Sequence, residues 1–217
     1  MPTVQQVAVI GLGRFGSALA ETLYNLDYEV LGIDIDSDIV DEMADRLTHA
    51  VTMDATDARA LASVGITSFD IVFVAMKEML ASILCTLALK ELGCSYVIAK
   101  SVSNEHMKIL ERIGADRIVS PEQDMGVRLG QSIATAGLVD YIDMSDEFSI
   151  AEIVAPTRFI DKTVRELDLR NRYNLNIIAM SRNGQLYITI RPDDKIMKGD
   201  ILVVIGNKKD IKKLNSD

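Results

Sequence analysis

The feature that most constrains the fold is a glycine-rich turn near the start of the chain. Residues 6–10 form a short apolar run of the β type, and Gly11, Gly13 and Gly16 follow it at the spacing G-x-G-x-x-G, where a helical pattern begins. In such a unit the first glycine permits a tight turn, the second lets backbone N–H groups approach a pyrophosphate, and the third allows the helix to pack on the strand. The helix N-terminus adds positive potential. The motif predicts a phosphate cradle, with an ordinary tight turn as the competing interpretation.

An acid at the end of the next predicted strand supports the cradle. Residues 29–33 have a β-type pattern, and Asp34 follows Gly16 by 18 residues, where a ribose-binding carboxylate is expected. Asp36 is a second candidate for contact with a nucleotide, and it could instead cap the next helix. Because an acid at this place disfavours a 2′-phosphate, we expect NAD, ATP or ADP rather than NADP.

Strand-like runs alternate with helical patterns over the first 120 residues, which is typical of an α/β protein. The predicted strands are residues 6–10, 29–33, 50–53, 71–75, 96–99 and 117–119. Right-handed crossovers between them predict a Rossmann-like, doubly wound parallel sheet. By analogy with that fold we expect the order 3-2-1-4-5-6, with the ligand at the switch between strands 1 and 4.

The pattern changes after the sixth predicted strand. A helix is expected to begin at Pro121 and to extend to about residue 137, and short alternating strands follow, two of them joined by the hairpin signal Asn183-Gly184. The predicted strands are residues 148–154, 176–181, 185–190 and 201–205. We therefore expect two domains: residues 1–137, which bind nucleotide and include the crossover helix, and residues 138–217, a linker and a small α+β domain that gains stability by pairing with a second copy.

Composition excludes several classes of partner. The 23 basic and 32 acidic residues give a net charge of −9, which opposes binding to nucleic acid or to an anionic lipid surface. The apolar run at residues 79–89 is too short to span a bilayer, and residues 1–6 lack the pattern of a secretory signal, so we expect a cytoplasmic protein. Cys85 and Cys94 are predicted to be small core residues in a reducing compartment.

Several further side chains are expected at the carboxyl edge of the sheet. Arg14 could grip a terminal phosphate bidentately or remain a solvated arginine at a helix start. Lys100 could neutralise a phosphate or pair with a surface acid, and Glu122 occupies a helix start that favours a carboxylate in any case. The remaining predicted pocket residues are Phe15, Asp54, Ala55, Thr56 and Ala75. The turn at residues 54–57 could reach the adenosine half of a nucleotide or merely cap the next helix.

The sequence offers little to a catalytic mechanism. Its two histidines, His49 and His106, are expected to be surface or packing residues, and it contains neither a Ser-His-Asp set nor a G-x-x-x-x-G-K-[ST] loop. An NAD-dependent oxidoreductase or an NAD(H)-sensing redox regulator remains the alternative hypothesis, because the same cradle serves those classes.

Four segments together resemble the KtrA branch of the RCK, or TrkA-like, proteins over essentially the whole chain. They are the glycine motif at residues 9–16, the Asp54-Ala55-Thr56 turn, residues 113–122 (IGADRIVSPE) and residues 143–147 (DMSDE). The C-terminal run KGDILVVIG at residues 198–206 also fits that family. The resemblance implies a regulator rather than an enzyme.

Proteins of that family form homodimers that assemble into octameric rings beneath a membrane potassium channel subunit of the KtrB/TrkH type. The resemblance implies that ATP favours the conducting state and ADP the inactive one. It assigns Gly11, Gly13 and Gly16 to the phosphates and Asp34 to the ribose. It further implies that Arg14 senses the terminal phosphate across neighbouring subunits and that Lys100 is a basic residue at the pocket edge. It also implies that Glu122 lies near the intersubunit nucleotide, where a Mg²⁺ or Na⁺ ion can bind.

The C-terminal domain resembles the part of KtrA relatives that binds cyclic di-AMP at a dimer interface. The resemblance implies that Arg170 contacts phosphate and that Asn176, Ile177 and Ile178 form the base pocket, with Pro192 as a further candidate. Gln185 departs from the family at a place where some binders have histidine. Without the resemblance, Arg170 is a surface arginine at a helix end, and the two isoleucines are strand core.

Overall fold

A computed structural model describes residues 5–134, 138–145 and 147–216. Its contacts divide the chain into two compact units, the first ending at Glu122 and the second beginning at Gln123. The domain boundary predicted after residue 137, and the predicted helix end there, fall on residues outside the described part. Within the described part, no helix is both long enough and apolar enough to cross a membrane.

The first unit contains the predicted parallel sheet. Its strands are β1 (Gln6–Ile10), β2 (Glu29–Asp34), β3 (His49–Thr52), β4 (Ile71–Val74), β5 (Val97–Lys100) and β6 (Arg117–Val119). They pair in the order β3-β2-β1-β4-β5-β6, which confirms the doubly wound topology. On β1, Val7 is in register with Val30 of β2 on one side and with Ile71 of β4 on the other. Strand β1 is therefore central, and its carboxyl end lies at the switch point.

Helices cover both faces of this sheet. They are α1 (Arg14–Asn25), α2 (Ser37–Met43), α3 (Ala58–Ser63), α4 (Met79–Leu92) and α5 (Asn104–Arg112), with a short 3-10 helix at Ile66–Ser68. Successive strand residues point to opposite faces, so Ala8 and Ile10 belong to one apolar cluster and Val7 and Val9 to another. The burial of both faces explains why the strands are continuous apolar runs rather than alternating ones.

Helix α6 (Pro121–Ala134) follows β6, and Pro121 suits the first helical position because its missing N–H would have no helical partner there. The second unit continues with strands β7 (Leu138–Asp143), β8 (Phe148–Val154), β9 (Asn176–Arg182), β10 (Gln185–Tyr187) and β11 (Ile201–Asn207), and with helices α7 (Val164–Leu167), α8 (Leu169–Tyr173) and α9 (Lys208–Ser216). The strands form an antiparallel sheet in the order β10-β9-β11-β8-β7. A small α+β unit is thus confirmed.

The second unit differs in detail from the sequence-based expectation. Strand β7 and the short helix α7 are not predicted by the sequence, and α8 is predicted only as a helix that ends at Arg170. Strand β10 ends at Tyr187 instead of residue 190. An edge strand such as β10 has a partner on one side only, so its length depends on tertiary pairing rather than on local pattern. Helix α7 begins with a capping box between Thr163 and Glu166, a signal that the sequence does contain.

Candidate nucleotide-binding site

The glycine loop (residues 11–16) joins β1 to α1 at the switch point. The Gly11 N–H donates to the Ile33 carbonyl at 2.7 Å, and the Ala75 N–H donates to the Ile10 carbonyl at 2.7 Å. Gly11 has a φ of +93°, and a Cβ atom there would lie 3.0 Å from the backbone of Ala75. A side chain at this position would be both strained and crowded.

The other two glycines have different structural roles. A Cβ atom on Gly16 would lie 1.8 Å from the Gly11 carbonyl oxygen, so this residue must lack a side chain for α1 to pack against the turn. A Cβ atom on Gly13 would meet no atom within 4 Å. Gly13 is therefore not required by packing, and its backbone faces open space, as an approach to phosphate would need.

Asp34 ends β2 and lies beside the glycine loop. Its carboxylate accepts the Leu12 N–H at 2.6 Å and the Asp36 N–H at 3.0 Å. The Leu12 carbonyl in turn accepts the Ser17 hydroxyl at 2.5 Å. These bonds fix the backbone N–H and the backbone carbonyl of Leu12, and they bring the predicted ribose acid next to the predicted phosphate turn.

Asp36 caps α2, which is one of the two roles predicted for it; the other is contact with a nucleotide. Its carboxylate accepts the Asp38 N–H at 3.0 Å, and Asp36 is the N-cap residue of that helix. Capping satisfies a backbone donor that has no partner in the first turn. This role accounts for Asp36 without a ligand.

The turn after β3 is organised by its own side chains. Asp54 accepts the Thr56 N–H at 2.9 Å and the Thr56 hydroxyl at 2.7 Å, and these hydrogen bonds lower the pKa of the Asp54 carboxyl. Asp57, not Thr56, caps α3. Ala55 is 2% exposed and belongs to the core, so almost none of its surface is available to a ligand.

Lys100 and Glu122 form an ion pair at the carboxyl end of β5. The Lys100 Nζ atom lies 2.8 Å from Glu122 Oε1 and 6.0 Å from the centre of the Phe15 ring. The hydrogen bond from Lys100 lowers the pKa of the Glu122 carboxyl, and burial opposes that effect. The structure thus brings together three of the predicted site residues, with an acid as the present partner of Lys100. Phe15 also packs against Phe73, with ring centres 5.8 Å apart.

Arg14 and Ala75 complete the predicted set. Arg14 is exposed at the first position of α1, and no side chain in the described part of the chain forms an ion pair with it. Ala75 is 6% exposed, and its Cβ atom lies 3.3 Å from the position of a Cβ on Gly16. Its small size therefore lets α1 approach β4.

Sequence reasoning missed the contribution of Ser17. Its hydroxyl holds the Leu12 carbonyl, and the serine directly after the third glycine was a signal that could have indicated this. The sequence alone also did not decide whether Lys100 pairs with an acid, because the pair with Glu122 depends on where α6 begins relative to β5.

The two histidines and the two cysteines occupy surface or core positions outside the glycine loop. His49 is exposed at the start of β3. His106 is fully buried, burial lowers its pKa, and its Nδ1 atom accepts the Val102 N–H at 3.2 Å. Both cysteines are buried, as expected, and burial raises the pKa of the Cys85 thiol to about 12. A thiol with such a pKa is unreactive at neutral pH.

The predicted residues of the second unit are only partly grouped. The Arg170 Nε atom donates to the Asn176 side-chain oxygen at 2.8 Å. Ile178 is 41% exposed, whereas Ile177 packs against the apolar cluster of this unit. Pro192 is exposed, and its carbonyl accepts the Arg165 N–H at 2.8 Å.

The fold and the glycine site define a two-domain protein of the TrkA class. Residues 7–121 match the TrkA-N domain and residues 148–216 match the TrkA-C domain. The chain is 42% identical over 214 residues to the Ktr system potassium uptake protein A of Bacillus subtilis (strain 168), covering 98% of this chain and 96% of that protein. It therefore belongs to the family of the Ktr system potassium uptake protein A, a branch of the RCK proteins.

Solved structures of the GsuK channel share the fold. The channel bound to NAD matches with a TM-score of 0.69 at 22% identity, over 98% of this chain and 39% of that one. The form bound to ADP matches with a TM-score of 0.52 at 27% identity, over 58% of this chain and 33% of that one. This chain thus spans well under half of the length of those channel chains.

Proposed function

We propose that this chain is a regulatory subunit of a potassium transport system and that it senses adenine nucleotides in its first unit. The relative from Bacillus subtilis is a potassium uptake protein, and the match extends over nearly all of both chains. The observation that carries the nucleotide assignment is the Asp34 carboxylate held 2.6 Å from the Leu12 N–H, beside the open backbone of Gly13.

The proposed signal is the difference between ATP and ADP. A ligand shifts an equilibrium only when it binds two states with different affinity. The guanidinium of Arg14 is exposed at the mouth of the loop, where a terminal phosphate of ATP would extend. Arg14 of one subunit reading the ATP of a neighbouring subunit in a ring would supply such a difference.

The proposed assembly is a homodimer that builds a homo-octameric ring beneath a membrane potassium channel subunit of the KtrB/TrkH type. The protein would act as a cytoplasmic gating subunit, peripheral to the membrane through this partner, and not as an enzyme. The supporting observation is the family membership, which extends over nearly the whole chain.

The proposed site includes a cation, Mg²⁺ or Na⁺, at Glu122 between two subunits. Within the described residues, no group of three or more His, Cys, Asp or Glu side chains lies together to hold a metal, and the Glu122 carboxylate already pairs with Lys100. A divalent ion takes several oxygen ligands, so the other ligands of this cation would come from a neighbouring subunit or from the nucleotide phosphates.

We also propose the second unit as the site of cyclic di-AMP, at an interface between two copies. Arg170 beside Asn176, with the exposed Ile178 nearby on β9, offers a cation for phosphate and an apolar face for a base. Competition between labelled and unlabelled cyclic di-AMP tests it, with Arg170→Ala expected to abolish binding and Arg172→Ala as the matched control.

An NAD(H)-sensing regulator is the second candidate. The same glycine loop suits a dinucleotide, and the GsuK channel with this fold has been solved with NAD bound. An oxidoreductase is less well supported, because His106 is buried with its Nδ1 atom engaged and His49 lies at the amino edge of the sheet, away from the glycine loop.

Potassium uptake tests the proposed function. A bacterium without its own potassium uptake systems would express a KtrB-type membrane subunit alone, with this chain, or with the Asp34→Ala variant. We expect faster uptake at low external potassium with the chain than without it, and loss of that gain with the variant. Equal uptake in all three strains would contradict the proposal.

A further inference from the structure

The Lys100–Glu122 pair is unequal in its exposure. The Lys100 side chain is 8% exposed, whereas that of Glu122 is 67% exposed. A buried ammonium without a partner is costly, and an exposed carboxylate is not. Lys100 therefore depends on an anion at this place, while Glu122 can separate from Lys100 and be solvated.

The same ammonium lies close to the glycine loop. Its Nζ atom is 6.0 Å from the centre of the Phe15 ring, and Phe15 belongs to that loop. Lys100 also ends β5, next to β4 in the sheet, at the edge where β1 meets the loop. Among the described residues Lys100 is the one buried lysine, and a phosphate held by the loop would be a second anion close to its ammonium.

Glu122 is placed where its release has a structural consequence. It is the second residue of α6 and the last residue of the first unit. Its pair with Lys100 bridges 22 positions in sequence and links the first turn of α6 to β5, beside a hydrogen bond of 2.9 Å between the hydroxyls of Ser101 and Ser120. Breaking the pair would remove one of these two side-chain links and change the contacts of the first turn of the helix that leads out of the nucleotide-binding unit.

We propose that the phosphate of a bound nucleotide and the Glu122 carboxylate compete for Lys100. Without ligand, Lys100 binds Glu122; with ligand, Lys100 turns to the phosphate and Glu122 is released. This exchange rests on the proposed function, since it needs a phosphate at the glycine loop. It makes Lys100 the residue that couples ligand charge to the start of α6.

A double-mutant cycle on the full chain tests the exchange, with ADP as the ligand, adenosine as the phosphate-free comparison and calorimetric titration as the readout. Glu122→Gln removes the competitor and is expected to tighten ADP binding about fivefold. Lys100→Gln is expected to weaken it about tenfold, and Lys100→Arg to restore part of that loss. Adenosine affinity should change in none of them.

The decisive comparison is the doubly substituted chain. If competition for Lys100 is the cause, Glu122→Gln brings no gain once Lys100 is Gln, whereas simple removal of negative charge would bring the same gain in both backgrounds. Asp124→Asn, an exposed acid in the same helical turn, is the matched control and should leave ADP affinity unchanged. Equal gains in both backgrounds, or an equal gain from Asp124→Asn, would overturn the exchange. Failure of the wild-type chain to bind ADP would instead overturn the proposed function.

Discussion

The Asp34 carboxylate at the end of β2 accepts a 2.6 Å hydrogen bond from the Leu12 N–H in the glycine loop. One side chain thereby connects the place predicted for a ribose with the place predicted for its phosphates. A second bond, from the Asp36 N–H, holds the other carboxylate oxygen. The two ends of the candidate site are therefore ordered by the protein before any ligand arrives.

Substitution of Asp34 is expected to lower nucleotide affinity, whereas substitution of Asp36 is expected to lower only the stability of the fold. Asp34→Ala removes the ribose acceptor and the partner of Leu12, so we expect ADP affinity to fall about tenfold or more. Asp36→Ala removes only the cap of α2, which costs about 1 kcal/mol of unfolding free energy and leaves affinity unchanged. Calorimetric titration and urea unfolding of both variants measure this. A larger loss of affinity in Asp36→Ala than in Asp34→Ala would show that the ribose acid is misassigned.

Substitution of Gly16 is expected to lower mainly the stability of the fold, whereas substitution of Gly13 is expected to lower mainly the affinity for nucleotide. Gly16→Ala forces a Cβ atom against the Gly11 carbonyl, so it should destabilise the fold by more than about 2 kcal/mol. Gly13→Ala points into open space and should cost less than about 1 kcal/mol, yet weaken ADP binding about tenfold by blocking the approach of phosphate. Thermal unfolding with and without ADP distinguishes them. Unchanged ADP affinity in a folded Gly13→Ala chain would argue that the loop does not bind phosphate.

Arg14 is expected to distinguish ATP from ADP. Its exposed guanidinium would contact only the terminal phosphate, so Arg14→Ala should retain ADP binding and lose the response to ATP. Potassium uptake measured in membrane vesicles containing a KtrB-type subunit and this chain, with ATP or ADP supplied, reports that response. Lys77→Ala, an exposed cation elsewhere at this edge, is the control. An equal loss of affinity for both nucleotides counts against the role.

The second unit is expected to lose stability in acid through Asp200. Burial by itself would raise the pKa of this carboxyl, but hydrogen bonds from Arg182 and the Met197 N–H, with the charge of Arg182, lower it. Because the pKa of Asp200 is lower in the folded chain than in the unfolded chain, the ionised carboxylate stabilises the fold fully at pH values above the unfolded pKa. This stabilisation is lost below about pH 4, as the pH falls towards the pKa of the folded chain. Asp200→Asn should cost about 3 kcal/mol at pH 7 and flatten the loss of stability that the wild-type chain shows below about pH 4. Urea unfolding monitored across that range checks it, and an unchanged slope would contradict it.

The first unit was largely predictable from its sequence because its signals are local or periodic. The glycine spacing, the apolar strands and the position of Asp34 each depend on nearby residues, and the doubly wound order then follows from the handedness of the crossovers. The Lys100–Glu122 pair was not predictable in this way. It joins residues 22 positions apart, and the alternatives for Lys100, a phosphate or an acid, have the same sequence signal.

The second unit was less predictable because its elements are short. Helix α7 has four residues and α8 five, below the length at which a helical period can be recognised. Strand β7 mixes polar and apolar residues and is stabilised by pairing with β8. Its existence follows from the tertiary partner and not from its own pattern.

The central claim is that an adenine nucleotide is bound as a signal and is not consumed. Competitive titration of the full chain with ATP, ADP, NAD and NADH, followed by chromatography of the recovered ligand and by native mass spectrometry of the protein, tests it most directly. We predict that ATP and ADP displace one another, are recovered intact, and are bound by an assembly of more than one chain. A single chain that prefers NADH to both, and oxidises it with a metabolite as acceptor, would contradict the account.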